Sequence, residues 1–143
     1  STMDATKTVR AELPHIIERF KIKSMLDTPC GDYNWMQTID KKCNYIGGDI
    51  VKEIIENNQK RYGADNVSFL HLDMTKDDLP KVDMIFCKDC LQHLSYENVA
   101  AALNNFKRSG AKYLLVSSFP RTWRNHDIYD GDYRPLNICT YTN

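Results

Sequence analysis

The sequence contains no long apolar run and no surplus of either charge. A helix that crosses a bilayer needs roughly 20 consecutive apolar residues. Nothing here approaches that, so a helical membrane span is not expected. Nineteen Lys and Arg are matched by nineteen Asp and Glu, which removes the basic excess that non-specific nucleic-acid binders rely on. The opening Ser1-Thr2-Met3-Asp4 lacks the charged-then-apolar order of a secretion signal. Five cysteines stand at 30, 43, 87, 90 and 139. Their odd number and irregular spacing argue against a disulfide framework and for reduced thiols in a cytoplasmic protein. Glycine is scarce, six in 143 residues, and the G-x-G-x-x-G turn of dinucleotide sites is absent.

What is present is an ordinary globular composition, 42% hydrophobic and 27% charged. The length suits one domain over residues 1–143, with its core at about 23–120. Such a chain can bury roughly 68–70% of its unfolded surface. Short apolar runs recur. Lys23 to Leu26 stops at Asp27, Asn44 to Gly48 at Asp49, and Val67 to Leu72 at Asp73; Val82 to Cys87 and Ala111 to Ser117 follow. They predict five strands, mostly buried on both faces. Val51, Ile54, Ile55 and Tyr62 form one helical stripe, closed by Gly63. Tyr96, Val99, Leu103 and Phe106 form another, with Ser95 as N-cap. A shorter helix is expected from Asn34 to about Asp40. One more is expected over Leu13, Ile16, Ile17 and Phe20, with Pro14 in its first turn. Strands alternating with helices imply βαβ units. The expected fold is therefore a Rossmann-like, doubly wound α/β domain with a mostly parallel sheet and helices on both faces. Ligands of such sheets lie beyond the carboxyl ends of the strands, where this sequence repeatedly puts Asp.

Each of these acids has a structural and a chemical reading. After the first strand, Leu26-Asp27-Thr28-Pro29-Cys30-Gly31-Asp32-Tyr33-Asn34-Trp35 makes a tight turn in which Gly31 allows close approach to the backbone. Asp27 and Asp32 would repel a pyrophosphate and suit a ligand carrying an ammonium and hydroxyls. Asp49 can accept from both hydroxyls of a ribose, or cap the helix that follows. Asp73 can accept from an exocyclic amine while the Met74 N–H donates to a ring nitrogen, or be a plain turn residue.

Taken in order, Asp27-Thr28-Pro29-Cys30-Gly31, Gly48-Asp49-Ile50, Leu72-Asp73-Met74 and Phe86-Cys87-Lys88-Asp89-Cys90-Leu91-Gln92-His93-Leu94 resemble the successive motifs of class I S-adenosylmethionine-dependent methyltransferases. The resemblance covers roughly residues 23 to 120. It implies that the turn from Asp27 through Pro29, Cys30, Gly31 and Asp32 to Trp35 holds the methionine part of the cofactor. It likewise implies that Asp49 and Ile50 hold the ribose side, Asp73 and Met74 the adenine, and that Cys87 and Lys88 pass the sulfonium. The sequence departs from the family in its single turn glycine. It also departs in its C-terminal hairpin, which is reduced or absent after Ser117, leaving a sheet edge that a partner can cover.

Methyl transfer requires an aligned nucleophile and, when that atom carries a proton, a base. Asp89 and His93 are four apart, a spacing that shares a helix face, and are the expected catalytic pair; the alternative is that Asp89 caps and His93 packs. Trp123, Arg124 and Tyr133-Arg134-Pro135 can form a substrate wall or simply pack on the domain. Cys87 and Cys90 form a C-x-x-C, but it follows the fourth strand and no two further zinc ligands stand at suitable spacing. The reading is methyl transfer to an unidentified acceptor, a small molecule, with no sign of a nucleic-acid or membrane partner. A non-catalytic binding module of the same fold and an NAD-dependent oxidoreductase are the rivals.

Overall fold

The structure, a computed structural model, describes residues 1–122 and 124–140. Five strands form one parallel sheet: β1 (Ser24–Asp27), β2 (Asn44–Asp49), β3 (Val67–His71), β4 (Met84–Cys87) and β5 (Tyr113–Val116). Their order is β3-β2-β1-β4-β5. The winding direction reverses between β1 and β4, the point beyond whose strand ends sheets of this kind take their ligands. Among the described residues there are three α-helices: α1 (Lys7–Arg19), α2 (Lys52–Tyr62) and α3 (Tyr96–Arg108).

Successive strand residues point to opposite faces, and the core divides accordingly. Met25, Tyr45, Met84 and Phe86 meet Leu13 and Ile17 of α1, with Met36, on one face; Tyr62 of α2 packs against the same cluster. Leu26, Ile85 and Cys87 meet Val99, Ala102 and Phe106 of α3, with Leu136, on the other. Helices cover both faces, as expected of a doubly wound sheet.

Several expectations need correction. β3 and β5 are the edge strands and are partly exposed rather than buried on both faces. β3 ends at His71, so Asp73 lies two residues past it. The helix expected from Asn34 is a single 3-10 turn, Met36–Thr38. In α1, Pro14 is in the interior. The helix starts six residues before the apolar stripe, and Val9 in that first part already packs against the core. Gly63 closes α2 with φ −56 rather than a left-handed turn. Glycine is required there because a Cβ would lie 2.5 Å from the Gln59 carbonyl oxygen.

No helix links β3 to β4. The buried Asn105 of α3 holds that irregular crossover instead, donating to the Met74 carbonyl at 2.9 Å and the Asp77 carbonyl at 2.7 Å. Among the described residues no strand pairs with the outer edge of β5. The C-terminal segment crosses the second face without strand structure, ends in a 3-10 turn (Ile138–Thr140), and buries Leu136 in the core. No helix among the described residues is long and apolar enough to cross a membrane.

Candidate functional site

The chain leaves β1 at the switch point. Asp27 is almost fully buried, and its carboxylate accepts the Tyr45 hydroxyl at 2.5 Å. Burial pushes its carboxyl up to about 7; the Tyr45 hydroxyl and the ammonium groups of Lys41 and Lys88 oppose the rise, and Asp49 adds to it. Asp27 therefore faces the core beside Tyr45. Thr28 and Pro29 carry the chain, through a cis peptide, to Cys30, whose N–H donates to the Gly48 carbonyl at 2.9 Å. Gly31 has φ 58, and open space lies where a Cβ would stand. Its N–H donates to Asp49 Oδ2 at 3.1 Å and its carbonyl accepts from Asn58 Nδ2 at 2.8 Å. The turn is thus tied to β2 on one side and α2 on the other. Asp32 is exposed and accepts the Asn34 N–H at 3.0 Å. Trp35 packs its edge on Phe86, with the Lys88 ammonium 6.0 Å from its ring.

Asp49 ends β2 with its other oxygen accepting from the Val51 N–H at 3.0 Å. It therefore shapes the strand-to-helix turn, while Val51, one residue before α2, is the cap position and contributes no side-chain bond. A carboxylate has about four lone-pair sites, so Asp49 retains acceptor capacity. Ile50 beside it is 63% exposed, a large apolar side chain left in water. Beyond β3, Asp73 accepts from the Thr75 N–H at 2.9 Å and the Thr75 hydroxyl at 2.6 Å. Partial burial raises its carboxyl, but the Thr75 donors and Lys76 outweigh that and hold it below its ordinary value.

At the end of β4 the Cys87 side chain lies in the second core cluster. Cys87 and Cys90 are free thiols, and a hydrogen bond between them raises Cys87 well above the ordinary thiol range and lowers Cys90. Lys88 pairs with Asp89. Asp89 has φ 53, and its N–H donates to Ser117 Oγ at 3.0 Å. Partial burial raises its carboxyl, but Lys88, Gln92 and Ser117 prevail and hold it low.

The shared helix face expected for Asp89 and His93 does not form, because Asp89 is left-handed and only Leu91–His93 make a 3-10 turn. His93 is exposed, and its Nδ1 lies 3.0 Å from the Asp132 carbonyl oxygen. A carbonyl only accepts, so Nδ1 carries the proton, and in the neutral ring Nε2 presents a lone pair.

The C-terminal segment closes this side. Its Asp130 accepts from the Ser95 N–H and Asn98 Nδ2, both at 2.6 Å, at the start of α3. Arg134 takes the packing alternative: it is buried, donates to the Leu91 and His126 carbonyls, and lies over the Tyr96 ring. It is a strut rather than a wall. Tyr133 is 57% exposed and packs against His93 and Phe119. Trp123 lies outside the described residues; Arg124 is exposed.

Three contributors were not singled out from the sequence. Tyr45 sits on the buried face of β2, and alternation along that strand is the one pattern that marks it. Asn58 reads as a polar residue on a polar helix. Gly47 reads as a weakness in a strand, yet a Cβ there would lie 2.7 Å from the Phe69 ring.

A family profile described as "Methyltransferase domain" matches residues 25–111. No curated protein matches the chain in sequence. Solved structures share its fold. The methyltransferase domain of bacterial CtHen1-C is 15% identical with a TM-score of 0.68, the alignment covering 82% of this chain and 66% of that one. The Burkholderia thailandensis 1,6-didemethyltoxoflavin-N1-methyltransferase, solved with 1,6-didemethyltoxoflavin and S-adenosylhomocysteine, is 16% identical with a TM-score of 0.67, covering 94% and 62%. Human N-acetylserotonin methyltransferase, in complex with S-adenosylmethionine, is 16% identical with a TM-score of 0.62, covering 80% and 34%. The chain therefore spans from about a third to two thirds of the length of these structures.

Proposed function

The chain belongs to the methyltransferase-domain family, and from that premise we propose that it binds S-adenosylmethionine across the carboxyl ends of β1 to β4 and transfers the methyl group to a small-molecule acceptor in the cytoplasm. The observation that carries this reading is the pairing of the left-handed Gly31 turn with Asp49, bonded to each other at 3.1 Å beside the switch point. The turn leaves an open approach to backbone, and the acid keeps lone pairs for two vicinal hydroxyls. A pyrophosphate would meet repulsion from the same carboxylates, which disfavours a dinucleotide.

The cofactor, when bound, supplies an electrophilic sulfonium methyl. Around it, the turn from Asp27 through Pro29, Cys30, Gly31 and Asp32 to Trp35 holds the amino-acid end. Asp49 accepts from the ribose hydroxyls, and Ile50 shields the adjoining ring from water. Asp73 and the Met74 N–H face the adenine. The backbone of Cys87 and Lys88 lines the sulfonium side. Asp89, held ionised by Lys88, orients the acceptor, and His93 takes the acceptor's proton through Nε2.

Thermal unfolding with S-adenosylhomocysteine, and with NAD as the control, tests the reading. Ligand at about 100 times its dissociation constant adds roughly 2.7 kcal/mol, which raises the melting temperature by several degrees. A rise with NAD alone would sink it. Methyl transfer from labelled S-adenosylmethionine then separates an enzyme from a binding module: the native chain turns over, and His93→Gln loses kcat while keeping its affinity for S-adenosylhomocysteine.

A further inference from the structure

A cavity of about 960 Å³ lies away from the strand-end acids. It is a groove between α1 and residues 38–42, bordered by the segments through which the chain enters β1 and β2. Its floor is aliphatic, from Pro14, Ile17, Ile22 and Ile39. Its rim carries the exposed Lys7, Lys21, Lys23 and Lys42 against two acids, Glu18 and Asp40. Two further cations border it but are committed to the fold: Arg10 donates to the Met3 carbonyl and Thr6, and the buried Lys41 donates to the Met36 and Ile39 carbonyls. None of the four exposed lysines joins an ion pair among the described residues. In a chain of zero formal net charge, that concentration is local.

Two of the rim lysines are held in a conformation that does not suit them. Lys21 has φ 53 and Lys42 φ 51. Lys21 directly follows the C-cap of α1: its N–H bonds the Glu18 carbonyl at 3.2 Å, and the Ile22 N–H bonds the Ile17 carbonyl at 2.9 Å. This is a Schellman ending, and its left-handed position ordinarily takes glycine because a Cβ is strained there. The other two left-handed non-glycine residues, Tyr33 and Asp89, stand at the candidate cofactor site. Strained backbone concentrates where a side chain has a task.

We propose that this groove is a second binding site, for a free anionic amphiphile: an aliphatic body on the floor and a carboxylate or similar head held by Lys21 and Lys42. An aliphatic floor without aromatic residues offers nothing for a nucleobase to stack on, whereas a cationic rim over an aliphatic floor complements an acid with a hydrocarbon tail.

The test uses sodium dodecanoate below its micelle concentration, titrated calorimetrically into the full chain. The native protein binds dodecanoate and binds uncharged dodecyl maltoside at least tenfold more weakly. The double variant Lys21→Gly with Lys42→Gly melts higher than the native chain, because glycine relieves the strain, yet binds dodecanoate at least tenfold more weakly. Its affinity for S-adenosylhomocysteine stays within twofold, so failure here is separate from failure of the methyltransferase reading. Lys7→Gln with Lys23→Gln, which leaves those two backbone turns alone, also weakens dodecanoate binding. Undiminished binding by both double variants, equal binding of dodecyl maltoside, or binding to anionic phospholipid vesicles but not to free dodecanoate would each overturn the proposal.

Discussion

The two ends of the sheet carry opposite charge and treat it differently. At the carboxyl end, Asp27, Asp49, Asp73 and Asp89 are each hydrogen-bonded into the fold, by Tyr45, Gly31 and Val51, Thr75, and Lys88 with Gln92 and Ser117. At the amino end, Lys21, Lys23 and Lys42 are exposed and without ion pairs among the described residues. The acids shape the turns that carry them, so removing one changes geometry as well as charge. The lysines shape nothing that glycine or glutamine would not shape as well or better. A charge kept where the fold does not need it points outward, to a ligand.

The comparison can be broken first at Asp27, where the largest effect is expected. Its carboxyl is raised from 3.8 to about 7, so the fold favours the protonated form. Its contribution is fully present below about pH 4 and is lost as pH rises through about 7. The full swing is on the order of 4 kcal/mol. Asp27→Asn keeps an acceptor for the Tyr45 hydroxyl and removes the titration. Urea midpoints between pH 4 and 8 therefore flatten in the variant; an unchanged slope would mean that another group is responsible.

Asp49→Ala comes next. It removes the ribose acceptor, and calorimetry with S-adenosylhomocysteine should show a loss of about 1–3 kcal/mol. Affinity equal to that of the native chain would remove Asp49 from the site. At the opposite end the sign reverses: Lys21→Gly alone should stabilise the chain by about 1 kcal/mol, measured as a higher urea midpoint. A lower midpoint would show that the lysine does support its turn.

The smallest effect is expected at Asp130, a surface group that ties the C-terminal segment to α3. Asp130→Ala should leave the melting temperature nearly unchanged and speed proteolytic cutting of residues 124–137. The Ser95 N–H bond holds this carboxyl low, so the tie is present at neutral pH and is lost as pH falls through that lowered value.

The five strands and their parallel arrangement were legible because buried parallel strands leave continuous apolar runs. The Asp that closes β1 or β2 was legible for the same reason, since a polar residue ends such a run. Helices were read well where an apolar stripe exists. The segment after Asn34 misled because Trp35, Met36 and Ile39 have helical spacing, yet the left-handed Tyr33 and the tight turn leave room for one 3-10 turn only. Asp89 and His93 misled in the same way: spacing implies a shared face only if the intervening residues are helical. Arg134 could be read as part of a substrate wall or as packing on the domain, and nothing in its sequence neighbours decides between them; the structure buries it.

By itself, the sequence determined the element order, the acids at the strand ends and the family, because burial patterns and short turns are local properties of the chain. Only the tertiary structure decided which polar groups are committed within the fold and which are left over. Tyr45 reaches Asp27 and Asn58 reaches Gly31 across separate elements, and the basic groove draws on residues from Lys7 to Lys42. Whether a charge is satisfied depends on partners distant in sequence, and those are set by packing.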